Sequence, residues 1–142
     1  MPAFSHGKNT KISVDNAAGA LVDISNVVNS VDMPRSTDTG ETSAMGTSDK
    51  SYIAGQADGT VSIGGLFDPT VDAQLSAIVQ GQLDGTILSS TVEYGPQGGA
   101  VGKIKYTCEV IWTGYSVTAG VGDVLNFKLD GQRTGSTVRA TF

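Results

Sequence analysis

Runs of alternating apolar and polar residues occupy much of the chain. In residues 103–112, every even-numbered position carries an apolar or aromatic side chain. In residues 124–130, Leu125, Phe127 and Leu129 share one side, and a polar residue follows each of them. This period of two is typical of antiparallel strands with one buried face and one solvated face. The pattern therefore predicts a mainly β protein.

Turn signals separate these runs from one another. Further runs with the same period occupy residues 11–14, 59–67 and 87–94. Asp-Gly pairs occur at positions 58–59, 84–85 and 130–131. Such pairs favour hairpin turns, because both positions tolerate a positive φ. The three pairs are therefore predicted to be turns between strands.

One segment has the period of a helix instead. Apolar side chains recur at i, i+4, i+7 and i+8 from Val71, which places them on one stripe. Asp68 suits the N-cap position, Pro69 suits the first helical position, and Gly81 is placed to end the helix. We predict an α-helix over residues 68–81 that flanks a two-sheet antiparallel β-sandwich or barrel.

Residues 34–51 differ from both patterns. The segment is small and polar, and Met45 is its only large apolar residue. A structureless segment of this length is uncommon in a compact domain unless it is functional or disordered. We predict a long polar loop that becomes ordered on a neighbouring subunit.

Composition indicates a single folded domain over residues 1–142. The chain has 142 residues, of which 39% are hydrophobic and 16% are charged. This length suits one domain, and the apolar content is sufficient for a packed core. No apolar run is long enough to cross a membrane, and the first residues lack the apolar region of a secretion signal. We therefore expect no membrane insertion and synthesis in a cytoplasm.

The sequence offers little for catalysis. It contains one cysteine and one histidine, which excludes multi-cysteine and two-histidine metal sites. It also contains no phosphate-binding loop and no nucleophile elbow. Cys108 lies on the apolar side of its run, as a buried inert thiol would. We expect no enzymatic activity, no metal and no cofactor.

The charge is acidic and unevenly distributed. The chain carries 14 acidic and 9 basic residues, for a net charge of −5. Residues 1–100 hold 4 of the basic and 11 of the acidic residues, whereas residues 101–142 hold 5 and 3. The acidic balance argues against tight binding of a nucleic-acid backbone.

An ordered series of short motifs resembles a known family. The series reads His6-Gly7-Lys8-Asn9-Thr10, Val22-Asp23-Ile24-Ser25-Asn26, Glu41-Thr42, Met45-Gly46, Asp49-Lys50-Ser51-Tyr52-Ile53, Gly55-Gln56-Ala57-Asp58-Gly59-Thr60 and Gly64-Gly65-Leu66-Phe67-Asp68. It resembles the major tail tube proteins of long-tailed, siphovirus-type bacteriophages. The resemblance implies the tail-tube β-sandwich or barrel and a virion tail location. It also implies hexameric rings that stack into a tube for DNA delivery into the host.

The resemblance also implies partners and a stacking segment. The partners are further copies of the chain and other tail proteins, namely the tape measure, terminator and tail tip. DNA would pass through the lumen without specific binding. The loop over residues 34–51 corresponds to the segment that reaches the adjacent ring. Its predicted inter-ring residues are Arg35, Asp38, Glu41, Met45, Asp49 and Lys50.

An acidic lumen would suit such a conduit, because a wall that bound phosphates would retard the passing duplex. We predict that Asp84 and Glu93 face the lumen. The alternative is another virion structural protein, such as a capsid decoration protein or a tail terminator. A third class is a secreted carbohydrate-binding β-sandwich that would display Trp112 and Tyr115.

Overall fold

The computed structural model describes residues 4–46 and 48–142 of the chain. These residues form eight strands, one α-helix and a turn of 3-10 helix at Gly7–Asn9. The strands are β1 (Lys11–Asp15), β2 (Leu21–Asp23), β3 (Val28–Asp32), β4 (Arg35–Glu41), β5 (Tyr52–Leu66), β6 (Ser90–Gly95), β7 (Ile104–Thr118) and β8 (Asn126–Thr141). The helix, α1, spans Pro69–Asp84.

The sheet curls until its two ends meet. Its strand order is β2-β1-β6-β7-β8-β5-β3, with β4 paired to β5 off this path. A flat sheet would separate β2 from β3 by about 29 Å, whereas the link from Asp23 to Val28 spans at most about 18 Å. Within that link, the Ile24 N–H donates to the Ile12 carbonyl at 3.0 Å, and the Val27 carbonyl accepts from the Leu66 N–H at 2.7 Å. The sheet is therefore bent into a barrel-like body.

Two long strands produce this bend. The first part of β7 pairs with β6, while the first part of β8 pairs with β5. The ladder between β7 and β8 shifts register between Thr107 and Glu109 and again between Trp112 and Gly114. Register shifts of this kind bend a strand and increase its twist. The mainly β, antiparallel class with one flanking helix is confirmed, but one continuous sheet replaces the two predicted sheets.

The core lies on the inner face of the curled sheet. Its fully buried apolar side chains include Ile12, Val14, Val61, Ile63, Val92, Val110 and Leu129. Helix α1 contributes Leu75 and Ile78, both with 0% exposure, to the same cluster. The predicted apolar stripe is therefore the stripe that covers the sheet.

The helix begins as predicted and ends one turn later. The Asp68 carboxylate caps it by accepting from the Thr70 N–H at 3.3 Å, and Gly85 ends it with a φ of 78°. Gly81 does not end the helix. A Cβ at Gly81 would lie 2.5 Å from Cδ1 of Ile87. This glycine therefore serves close packing rather than termination.

Polar side chains fasten the helix to the sheet. The Gln74 side chain donates to the Val14 carbonyl at 3.0 Å, and the Gln82 side chain accepts from the Trp112 N–H at 2.7 Å. The Tyr115 hydroxyl donates to the Asp72 carboxylate at 2.6 Å. Burial raises the pKa of Tyr115 well above its usual range, and the hydrogen bond to Asp72 raises it further. The bond therefore favours the protonated phenol.

None of the three predicted Asp-Gly turns joins two strands. The pair at 84–85 ends the helix, but 58–59 lies within β5 and 130–131 lies within β8. A Cβ at Gly59 would lie 2.6 Å from the Pro34 carbonyl oxygen, and one at Gly131 would overlap the Val110 side chain. Both glycines permit a close approach of neighbouring groups, so their role is packing rather than turning.

The predicted loop over residues 34–51 also needs correction. Its first part is strand β4, which pairs with the first half of β5 from Arg35 opposite Gly59 to Glu41 opposite Tyr52. Within the described part of the chain, residues 42–46 and 48–51 belong to the connecting loop. Every residue of β4 and of segment 52–58 is exposed. Because neither face is buried, the strand has no apolar alternation that would have revealed it. We call residues 35–58 the arm.

Candidate assembly surfaces

The described residues lack the features of a catalytic centre. Residues 4–46 and 48–142 contain no group of three or more His, Cys, Asp or Glu side chains that could hold a metal. In the same part of the chain, no helix has the length and apolar character needed to cross a bilayer. Cys108 is buried, as predicted, and its burial raises the pKa of the thiol. The features that bear on function are instead exposed surfaces of the arm and of the sheet.

The arm is an exposed hairpin with apolar side chains near its end. Met45 is fully exposed, and Tyr52 and Ile53 are 56% and 62% exposed. Hydrogen bonds close the base of the connecting loop, where the Thr42 N–H donates to the Ser51 carbonyl at 2.8 Å. The loop is therefore presented on an ordered strand pair rather than on a free segment.

The predicted inter-ring residues fall into two groups. Asp38 and Glu41 lie in the distal part of β4, and Asp38 sits at a register shift in the hairpin. Met45, Asp49 and Lys50 lie in the connecting loop and are exposed. The sixth residue lies apart from these five. Arg35 is at the root of the arm, where its guanidinium stacks 5.4 Å from the centre of the Tyr106 ring.

The predicted lumen acids lie on different elements. Glu93 lies in β6, opposite Ser13 on one side and Thr107 on the other. Its neighbour Val92 is in the core, so Glu93 projects from the outer face of the sheet. Asp84 is the last residue of the helix, and its carboxylate accepts from the Gln80 side chain at 3.0 Å. The two acids therefore have to be considered separately.

The outer face beside Glu93 holds a second acid that sequence reasoning missed. Glu109 lies opposite Thr91, two positions along β6 from Glu93. Its carboxylate accepts from Thr91 at 2.7 Å and from Ser89 at 3.1 Å. Its polar position in the 103–112 run placed it on a solvated face. Only the pairing register of β6 and β7 reveals that it shares that face with Glu93.

Comparison with known proteins identifies the fold. No protein-family model and no curated protein sequence matches the chain. Among solved structures, it matches a chain from the tail of an empty gene transfer agent particle refined with C6 symmetry. The TM-score is 0.77 at 14% identity, over 97% of this chain and 100% of the other. A chain of the SPP1 tail tube matches with a TM-score of 0.74 at 10% identity, over 97% and 80%. The chain has the tail-tube fold.

The same fold recurs in a contractile system. A chain of an extracellular contractile injection system, in its sheath–tube complex, matches with a TM-score of 0.73 at 12% identity, over 97% of this chain and 92% of the other. The tail-tube fold implied by the sequence motifs is thus confirmed over nearly the whole chain. At such low identities the likeness concerns the fold, so the roles of individual residues are argued from their geometry.

Proposed function

We propose that the protein is a structural subunit of a virion tail tube, with no catalytic role. Six copies close into a ring, rings stack into a tube, and the tube conducts DNA into the host. The observation that carries this proposal is the combination of a tail-tube fold over 97% of the chain with an arm whose strand residues 35–41 and 52–58 are all exposed.

The arm is the proposed stacking device. A two-stranded hairpin is at best marginally stable alone in water, and this one exposes Met45, Tyr52 and Ile53. Packing against an adjacent ring would remove these side chains from water. Asp38, Glu41, Asp49 and Lys50 would then fix its orientation through polar contacts. Stacking of rings by one repeated heterologous contact extends without limit, as a tube requires.

The proposed lumen surface is acidic. Glu93 and Glu109 share the outer face of β6 and β7 with serine and threonine side chains. Such a face accepts water and repels phosphates, which supports free passage of a duplex. Asp84 lies at the end of the helix, on a different element from Glu93. We propose that both acids face the lumen, and each is tested by its own variant.

Self-assembly of the purified chain tests the function. We expect a concentration series, followed by mass photometry and negative-stain electron microscopy, to show rings and then tubes with a central channel. Closed rings that never stack at any concentration would instead indicate a tail terminator. Binding to empty capsids without tube formation would indicate a decoration protein. Other tail proteins, such as the tape measure and tail tip, are proposed partners that set length and initiation.

A further inference from the structure

A cleft opens at the root of the arm. The pairing of β5 with β8 ends where Thr60 lies opposite Gln132. Beyond that point β5 continues into the arm with β4, while β8 continues along β7. The two diverging strands leave a cleft of about 360 Å³ between them. Its lining residues are Arg35, Ser36, Thr37, Ala57, Arg133, Ser136 and Thr137.

Two arginines face this cleft without a carboxylate partner. Nη1 of Arg133 donates to the Thr137 hydroxyl at 2.9 Å, but its Nε is buried and has no hydrogen-bond acceptor within the described part of the chain. Arg35 stacks on Tyr106 and forms no ion pair with any described residue. Arg133 is partly buried, and a positive charge without an anionic partner at such a site is unusual, because burial of an unpaired charge is unfavourable.

The backbone around the cleft positions these guanidinium groups. Arg35 lies directly opposite Gly59. A Cβ at Gly59 would lie 3.4 Å from the Cζ of Arg133, so the glycine lets that side chain lie across the strand. The neighbouring acid does not neutralise the site. The Asp58 carboxylate accepts instead from the Gln132 side chain at 2.6 Å and from the Gly59 N–H at 2.8 Å.

The donors suit an oxyanion. A guanidinium presents a fixed fork of N–H donors that matches a carboxylate or phosphate. Hydroxyl groups of Thr37 and Ser136 line the same cleft and can donate further hydrogen bonds. The cleft therefore combines two positive charges with neutral donors, and none of its lining residues is acidic.

We propose that this cleft binds an acidic side chain of a second copy of the chain. The inference rests on the proposed tube function. Charge complementarity favours this occupant over DNA, because each copy carries 14 acidic residues against 9 basic ones. Its position also favours this occupant, since the cleft adjoins the arm, whose two strands expose every side chain of residues 35–41 and 52–58. The contact would hold the root of the arm of one copy against the surface of a second copy.

The double variant Arg35→Gln/Arg133→Gln tests the contact. Lys128→Gln/Arg139→Gln is the matched control, because both residues lie exposed on strand β8, line no part of the cleft and together carry the same two positive charges. We expect the double variant to raise the critical concentration for tube assembly by at least about tenfold, since truncation of a buried charge pair is costly. The control should stay within about twofold of the wild type. Sedimentation gives these concentrations, and circular dichroism checks that each variant is folded.

Two further measurements make the result decisive. Arg133→Lys keeps the charge but loses the fork, so it should give an intermediate critical concentration. Arg35→Gln alone alters only an exposed side chain, and it should weaken assembly even if the double variant fails to fold. If the folded arginine variants assemble as well as a wild type that forms tubes, the cleft inference is overturned. The proposed tube function would stand in that case.

The remaining outcomes bear on the occupant. A wild type that never assembles would overturn the proposed function and this inference together. Normal tubes, combined with loss of short-duplex DNA or inorganic phosphate binding in the double variant, would assign the cleft to a phosphate and overturn the proposed occupant. Assembly that weakens in the double variant, without any phosphate binding by the wild-type subunit, would support a carboxylate of a second copy.

Discussion

The body and the arm use the same antiparallel ladder under opposite conditions. In the body, side chains such as Val61, Ile63 and Leu129 are buried, and helix α1 covers them. In the arm, β4 pairs with β5 in the same antiparallel way, but every side chain of β4 and of segment 52–58 is exposed. The body therefore has a core formed by contacts within its own chain. The arm has none of these core side chains, so its exposed side chains are available to a surface outside the chain.

The body and the arm are also joined by a strand that they share. Strand β5 runs through both, and its exposure changes from exposed to buried at Gly59. The folded body therefore holds one strand of the hairpin in place. This arrangement explains how an arm without a core can be ordered, and it places the Arg35 and Arg133 cleft at the junction. Changes in the body should alter stability, whereas changes in the arm should alter assembly.

Leu129→Ala should give the largest loss of stability. Leu129 is fully buried in β8, so its truncation should lower the free energy of unfolding by about 2–5 kcal/mol. Val138→Ala, on the same strand but 58% exposed, serves as the control and should change it by less than about 0.5 kcal/mol. Urea unfolding of the isolated subunit measures both. Equal effects would mean that the core does not lie where we place it.

Tyr115→Phe should give a smaller loss and a distinct pH dependence. Removal of its hydrogen bond to Asp72 should cost about 1 kcal/mol. The pKa of Tyr115 is raised in the folded state, so the folded chain retains the proton longer than the unfolded chain. This contribution to stability is complete below the unfolded pKa of about 10 and is lost as pH rises above it.

The pH dependence is measured from urea midpoints at pH 8 to 11, a window set around the unfolded tyrosine pKa of about 10. The wild-type midpoint should fall above pH 10, and the Phe variant should fall less steeply. Tyr52→Phe, on the exposed arm, is the control for loss of a phenol. Identical profiles for Tyr115→Phe and the wild type would show that the hydrogen bond to Asp72 does not hold the helix.

Met45→Asp should leave the subunit almost as stable as before. Met45 is fully exposed, so the free energy of unfolding should change by less than about 0.5 kcal/mol. Tube formation should nevertheless stop, because a charge would enter the proposed contact between rings. Ser48→Asp adds the same charge nearby without removing the apolar side chain. Tubes of normal length from Met45→Asp would exclude this loop as the stacking device.

Glu93→Lys should have the smallest effect on the subunit itself. Glu93 lies on the outer face of the sheet, so neither folding nor tube assembly should change. DNA ejection from particles carrying the variant should slow, because a cation in the lumen would attract phosphates. Asp84→Lys tests the other acid separately. Unchanged ejection at either position would remove that acid from the lumen surface.

Sequence reasoning succeeded where burial imposes a pattern. The alternating runs predicted parts of β1, β5, β7 and β8, because each of these parts packs one face on the core. The helix was predicted with its correct start, since its N-cap is a local signal. Strand β4 was missed because an exposed strand has no apolar period. The turn predictions at 58–59 and 130–131 were wrong because these glycines are required by close contacts with residues distant in sequence. Gly59 approaches Pro34, and Gly131 approaches Val110.

The candidate surfaces were only partly predictable for the same reason. The family resemblance selected the segment that contains Arg35, Asp38 and Met45, although it implied a loop there. Arg133 and Glu109 were missed, because their importance depends on strand register rather than on local sequence. Register connects residues far apart in the chain, and no local pattern records it. Side chains at the arm root could therefore be grouped only in the folded structure.

The most direct test of the central claim is a cryo-electron microscopy reconstruction of tubes formed by the wild-type chain. The claim is that the arm, residues 35–58, packs on another copy because the side chains of its two strands are exposed in the subunit. We predict that the arm lies against the adjacent ring, with Met45, Tyr52 and Ile53 buried in the contact. A tube in which the arms project into solvent, with rings joined through other surfaces, would contradict it.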